Sequence, residues 1–294
     1  MSRACWISSV VLCLAAGAAT AKGAETGPLP PEGATSVSAK VGNVEVRFDR
    51  RKAWNLNRID FKGVRLGIDL PGAHYGTVFK FPGVGFIGSG HTENETEAVE
   101  QVQFVADGQQ VPVEKDAEFT AGAFKMMRVS RVRDFAVENT VEVKDDRVRE
   151  QVTVRTDKEV PLDLVYHFMH PWTVTATEYL AGGEGKPEVG GVFADTKDFH
   201  VKQDLDWVAE YDAPSGKGLV SRLLRKPEIG GATILLWDVP KTYRKFYLRC
   251  FTAKTVPAGF AGTYEMVTGF FEAEPATWKD VARTLAVDLA AKTE

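Results

Sequence analysis

Cysteine is nearly missing from this chain: three occur among its 294 residues. Two of them, Cys5 and Cys13, fall in a segment expected to be removed on export. Cys250 alone would remain, which excludes an intramolecular disulfide and a Cys-rich zinc site from the mature chain. Beyond that first segment no apolar run approaches the about 20 residues of a spanning helix. No block of like charge occurs, and acidic and basic residues are interspersed at a net charge of −4, or −5 once Arg3 is lost. That pattern offers no basic face to nucleic acid and no attraction to an anionic membrane. There is also no G-x-S-x-G elbow and no internal repeat.

What is present begins with a secretory signal. Arg3 supplies its positive end, the run from Trp6 to Ala19 its apolar middle, and Ala19-Thr20-Ala21 the small residues before a cleavage point. Residues 1–21 are therefore read as a cleavable signal peptide and 22–36 as a flexible, Pro- and Gly-rich leader. The protein is expected to be exported, to the periplasm or the medium, with no membrane association after cleavage.

From residue 37 to residue 294 the pattern is one of period two. In VEVRFDR, Val44, Val46 and Phe48 alternate with charged residues. Val141 and Val143, then Val148, Val152 and Val154, flank an Asp145-Asp146 pair, as in a hairpin. VPLDLVYHFMH, ATILLWDV, KFYLRCFTA and TYEMVTGFF continue the habit. Helical periodicity is clear only in WKDVARTLAVDLAAK, where Val281, Leu285 and Leu289 recur and Thr277 with Asp280 resembles a capping pair. Residues 93–104 fit either a helical turn or a strand, and 182–191 (GGEGKPEVGG) read as a loop. The chain is thus predicted to be all-β: one large antiparallel β-sandwich domain with a C-terminal amphipathic helix. Alternation places Cys250 with Phe246 and Leu248, as a buried structural thiol.

Chemistry is carried by few residues. Gly83, Gly85 and Gly88 spell G-x-G-x-x-G, but Pro82 interrupts the approach and no βαβ unit follows, so the glycines are read as turn residues. No cofactor is implied. His91 follows these glycines and, with Glu93, has the makings of a base with an orienting carboxylate, or of a solvated acidic edge. No second histidine at ligand spacing supports a metal there. In VYHFMHPW an extended strand would turn Tyr166, Phe168 and His170 one way and His167 and Met169 the other. His170 beside Trp172 suits a sugar, the ring covering its C–H face and the imidazole bonding its hydroxyls, unless the two cap the core. Arg58, His74 and Tyr75 are candidates for the same surface. Glu265 sits between apolar residues, either as an acid or base of raised pKa or as the partner of an arginine.

Two stretches resemble a known family. NRIDFKGVRLGIDLPGAHYGTVFKF, residues 57–81, resembles the early strands of galactose mutarotase-like β-supersandwich proteins. HPWTVTATEYLAG, from His170 onward, is similar to the segment that carries the catalytic histidine in aldose 1-epimerases. The resemblance implies His170 as the acid protonating the ring oxygen, Glu265 as the base and His91 as an auxiliary ligand to the sugar. The same fold also occurs in polysaccharide lyase and glycoside hydrolase domains and in noncatalytic sugar-binding modules, so it does not name a reaction. The expected function is a carbohydrate-active one by His/carboxylate acid–base chemistry, with epimerisation, β-elimination or hydrolysis as its forms. The alternative is a noncatalytic carbohydrate-binding or scaffold protein using Trp172, Trp207 and Trp54 as a stacking platform.

Overall fold

A computed structural model describes residues 29–91 and 94–291. The signal segment, the first part of the leader and Glu93 lie outside the described residues. Alternating apolar residues build two large sheets that face each other across one core, as the sequence predicts for an all-β sandwich. The first sheet runs from Phe199–Gln203 through Thr233–Val239, Tyr243–Cys250, Leu164–Thr173 and Val64–Gly67 to Asn55–Phe61, Val44–Asp49, Ser36–Val41 and Ala117–Ala121. A hairpin, Gly76–Phe81 with Gly85–Ile87, adds to it against Leu164–Thr173. The second sheet is centred on Lys217–Arg225, Phe260–Glu272, Arg147–Thr156 and Phe135–Lys144.

The expected hairpin around Asp145-Asp146 forms with a two-residue turn, both aspartates at positive φ (51° and 54°). That is the backbone of the turn whose twist matches paired strands. The Asp146 carboxylate accepts the Asn43 N–H at 2.7 Å, tying this turn to the first sheet. Val141, Val143, Val148, Val152 and Val154 all face the core. Residues 98–106 form a strand. The stretch 182–191, expected to be a loop, instead lies mostly in a hairpin of Glu178–Gly183 with Lys186–Val192, because Glu184-Gly185 alone makes the turn.

The C-terminal helix, Trp278–Ala291, docks on the outer face of the second sheet. Its buried stripe is Trp278, Ala282, Ala286 and Leu289, with Val281 and Leu285 half-buried beside it. Leu289 is buried as its spacing predicts, whereas Val281 and Leu285 give the central contact to Ala282 and Ala286. The Thr277 hydroxyl turns back to the Glu274 carbonyl, and the Asp280 N–H bonds the Thr277 carbonyl instead of that hydroxyl. The glycines of GVGFIGSG are turn residues at positive φ within the Gly76–Ile87 hairpin and its exit, with strand on either side. Cys250 is buried, and burial pushes its thiol up to about 12.

One irregularity decides where the histidines point. In Leu164–Thr173 the register against Tyr243–Cys250 slips between His167 and His170. Phe168 there adopts φ 50°, a left-handed conformation that a bulge uses to insert one residue. Alternation is re-phased: His167, Phe168, His170 and Trp172 turn to the core, while Tyr166 and Met169 face outward. The expectation that the two histidines take opposite faces, and that Tyr166 shares one with His170, is corrected by this bulge.

Candidate functional site

His170 is 0% exposed, its Nε2 2.7 Å from Oε1 of Glu150 on the facing sheet. The approach is close, but the atoms are not aligned as a hydrogen bond requires. Trp172 meets the His170 ring edge-on at 4.7 Å, and Tyr75 lies 5.5 Å away with its hydroxyl on the Ile68 carbonyl. All three are core residues, which corrects their placement on a ligand surface. Trp54 and Trp207 are buried as well, so the expected tryptophan platform does not exist on these rings. Glu265 lies on the helix-side face of the second sheet, ion-paired with Arg149. Arg58 is held by Asp60 and Glu45. His170, His91 and Glu265 thus occupy three different places in the fold.

The outward face of the first sheet gathers a different set. From Leu164–Thr173 comes Tyr166; from Tyr243–Cys250 come Tyr243, Lys245 and Tyr247; from Thr233–Val239 comes Trp237; from the added hairpin comes Phe86. Tyr166 stacks on Tyr247 at 4.5 Å and on Phe86 at 6.0 Å, and Trp237 stacks on Tyr247 at 6.5 Å. Beside them His74 and His91 stack face to face, their centroids 4.0 Å apart, with Phe86 5.7 Å from His91.

The His91 loop is pinned from below. Ser89, at φ 51°, donates its N–H to the buried Glu97 carboxylate at 2.7 Å and its hydroxyl to the Thr77 carbonyl. Glu97 also accepts from the Ser130 hydroxyl at 2.6 Å and stands 3.3 Å from Arg128. A buried carboxylate satisfied in this way fixes the backbone that presents His91.

Two hollows flank the stacked pair. One, of about 500 Å³, is lined by Asp49, Arg51, Lys52, Asn57, Asp69, Leu70, Pro71, His74 and Gly90. The other, of about 220 Å³, is lined by His91 with Trp54, Arg50, Arg51, Glu97 and neighbours. The first lies within the usual size range of a small-molecule site.

Burial drives the His74 pKa down to about 3, and the charges of His91, Lys52 and Lys245 add to it. Its imidazole is therefore neutral near pH 7, with Lys52 Nζ 3.5 Å from Nδ1. Burial likewise lowers Lys245 to about 8, Lys52 contributing a like charge. A neutral imidazole, an ammonium and a bank of rings can bond hydroxyls, hold an anion and cover a sugar's C–H face.

Of the residues singled out in the sequence, His74, His91 and Tyr166 come together here. Lys245, Tyr247, Trp237, Phe86 and Lys52 were not singled out. The signal for the first two was in YRKFYLRC, where the alternation that buries Cys250 also puts Tyr243, Lys245, Tyr247 and Arg249 on the other face. Glu93, proposed to orient His91, lies outside the described residues.

No family model matches the chain, and no curated protein matches it in sequence. Its fold is shared with solved structures. An α-N-acetylgalactosaminidase from Bifidobacterium bifidum superposes with a TM-score of 0.54 at 9% identity, over 86% of this chain and 39% of that one. An α-galactosidase from Lactobacillus brevis gives 0.52 at 8% identity, over 81% and 40%. The chain spans about two fifths of the length of these two enzymes. A putative aldose 1-epimerase from Escherichia coli aligns over 81% of this chain and 99% of its own at 10% identity, with a TM-score of 0.46. The likeness is one of fold: with the two glycosidases the chain shares a sandwich of large antiparallel β-sheets.

Proposed function

We propose that this is an exported carbohydrate-active protein whose saccharide lies on the outward face of the first sheet. The observation that carries the reading is the stacked His74–His91 pair set beside the Phe86, Tyr166, Tyr247 and Trp237 rings and a cleft of about 500 Å³. Rings on one side and hydrogen-bonding imidazoles on the other match the two chemically distinct faces of a pyranose. In this reading His91 handles the proton and neutral His74 orients a hydroxyl; His170 and Glu265 have structural roles. Export adds the signal read at residues 1–21.

Screening a glycan panel by calorimetry tests this. Wild type is expected to bind at least one saccharide, with His74→Ala and Tyr247→Ala each weakening it about tenfold or more. No binding, or binding unaffected in both variants, would overturn the reading. The noncatalytic alternative is favoured by the separation of His170 from Glu265, which leaves the expected acid–base set ungathered. It predicts binding with no turnover of the bound saccharide. N-terminal sequencing of exported protein, expected to begin at Lys22, tests the signal.

A further inference from the structure

Lys245 is 6% exposed, and an ammonium is rarely buried so far without a counter-charge. Its Nζ lies 5.3 Å from the ring centre of Tyr243 and 5.0 Å from that of Tyr247. Ring faces attract a cation but do not neutralise it. Among the described residues no carboxylate is paired with Lys245, and the charge that acts on it is that of Lys52, of the same sign. The carboxylates that line the hollow beside His74 are engaged elsewhere: Asp49 with Arg51 at 3.2 Å and Asp69 with Arg65 at 2.9 Å. The positive field is felt at His74, which both Lys52 and Lys245 disfavour in its protonated form.

We propose that the saccharide taken by this face is an acidic one, its carboxylate or sulfate seated against Lys245 beside the Tyr243 and Tyr247 rings. The inference rests on the carbohydrate reading above and narrows it to a substrate class. An anion there supplies the counter-charge that the fold withholds, in a site dry enough for a charge-assisted bond to matter. It also offsets the field on His74, so that ligand binding raises the His74 pKa from about 3. Because Lys245 titrates near 8, affinity for the anion weakens as pH rises past that value.

The test compares four ligands by calorimetry on the full mature chain: an oligogalacturonate, its methyl ester, a sulfated oligosaccharide and a neutral one. The acid or the sulfate is expected to bind about ten- to a hundredfold tighter than its uncharged counterpart. The larger of the two preferences identifies the anion. Lys245→Met should bring the acid-to-ester ratio close to unity, and Lys245→Arg should restore much of it, with circular dichroism confirming that both variants fold. Should Lys245→Met not fold, the wild-type acid-to-ester ratio measured below and above pH 8 decides instead, and it is expected to shrink above. Equal binding of charged and uncharged ligands by wild type overturns the anionic inference while leaving the carbohydrate reading standing. Binding of none of the four, charged or neutral, overturns both.

Discussion

His170 Nε2 and Glu150 Oε1 stand 2.7 Å apart between the two sheets, their side chains 0% and 2% exposed. The pair bridges Leu164–Thr173 of one sheet to Arg147–Thr156 of the other, and it exists because the bulge at Phe168 turns His170 inward.

Breaking this pair should destabilise the fold without emptying the outward face. His170→Ala opens a cavity in the core and leaves the buried Glu150 carboxyl without its neighbour, at a cost of about 2–5 kcal/mol, whereas replacing both by apolar residues of similar volume should recover much of it. Urea unfolding of the two singles and the double measures this. A His170→Ala protein as stable as wild type that has lost its saccharide would return His170 to the site.

Acid sensitivity should trace in part to His167. This imidazole is fully buried, 3.1 Å from the Thr77 hydroxyl and 4.0 Å from the Tyr264 ring, and burial lowers its pKa from 6.5 to about 3. Between those values the unfolded chain binds a proton that the folded chain refuses. Stability is therefore whole above pH 6.5 and declines as pH falls toward 3, by up to about 1.4 kcal/mol per pH unit from this group. Unfolding midpoints measured across that window for wild type and His167→Gln should differ in slope, the variant being flatter. Parallel slopes would remove His167 as the cause.

The helix should contribute through Trp278 above all. That ring is 1% exposed and lies parallel to Tyr211 at 5.2 Å. Trp278→Ala is expected to cost about 3–5 kcal/mol, and Val287→Ala, at a position 65% exposed, within about 0.5 kcal/mol. Thermal melts of the two variants separate these outcomes. Equal melting temperatures would mean that the helix is not part of the cooperative unit.

Period-two alternation made the sheets legible because each face of a half-buried strand has one partner. Val141, Val143 and Val148 face where their spacing says. The same logic failed at His170 because one residue at φ 50°, Phe168, shifts the phase, and nothing in Tyr-His-Phe-Met-His announces a left-handed phenylalanine. His74 and His91 were each visible as polar residues near glycines, but their stacking depends on a hairpin that folds back and on Glu97 pinning Ser89, contacts invisible to spacing. Lys245 escaped notice because a lysine on a strand reads as solvent-facing. The Tyr243 and Tyr247 rings that flank it along the same strand cover it.

Glu265 separates the two placements of the chemistry. If it were the base of an acid–base pair, Glu265→Gln would abolish turnover and leave the fold alone. Its carboxylate is instead paired with Arg149, itself 41% exposed, on the face that bears the helix. Such a half-exposed pair contributes about 0–1 kcal/mol. Glu265→Gln is therefore expected to lower stability by no more than that and to leave saccharide affinity within about twofold of wild type, since the face proposed for the ligand is the opposite outer face of the sandwich. Measuring both quantities on one preparation, beside Tyr247→Ala, makes the comparison direct. Loss of affinity in Glu265→Gln with Tyr247→Ala unaffected would move the site from the first sheet to the second.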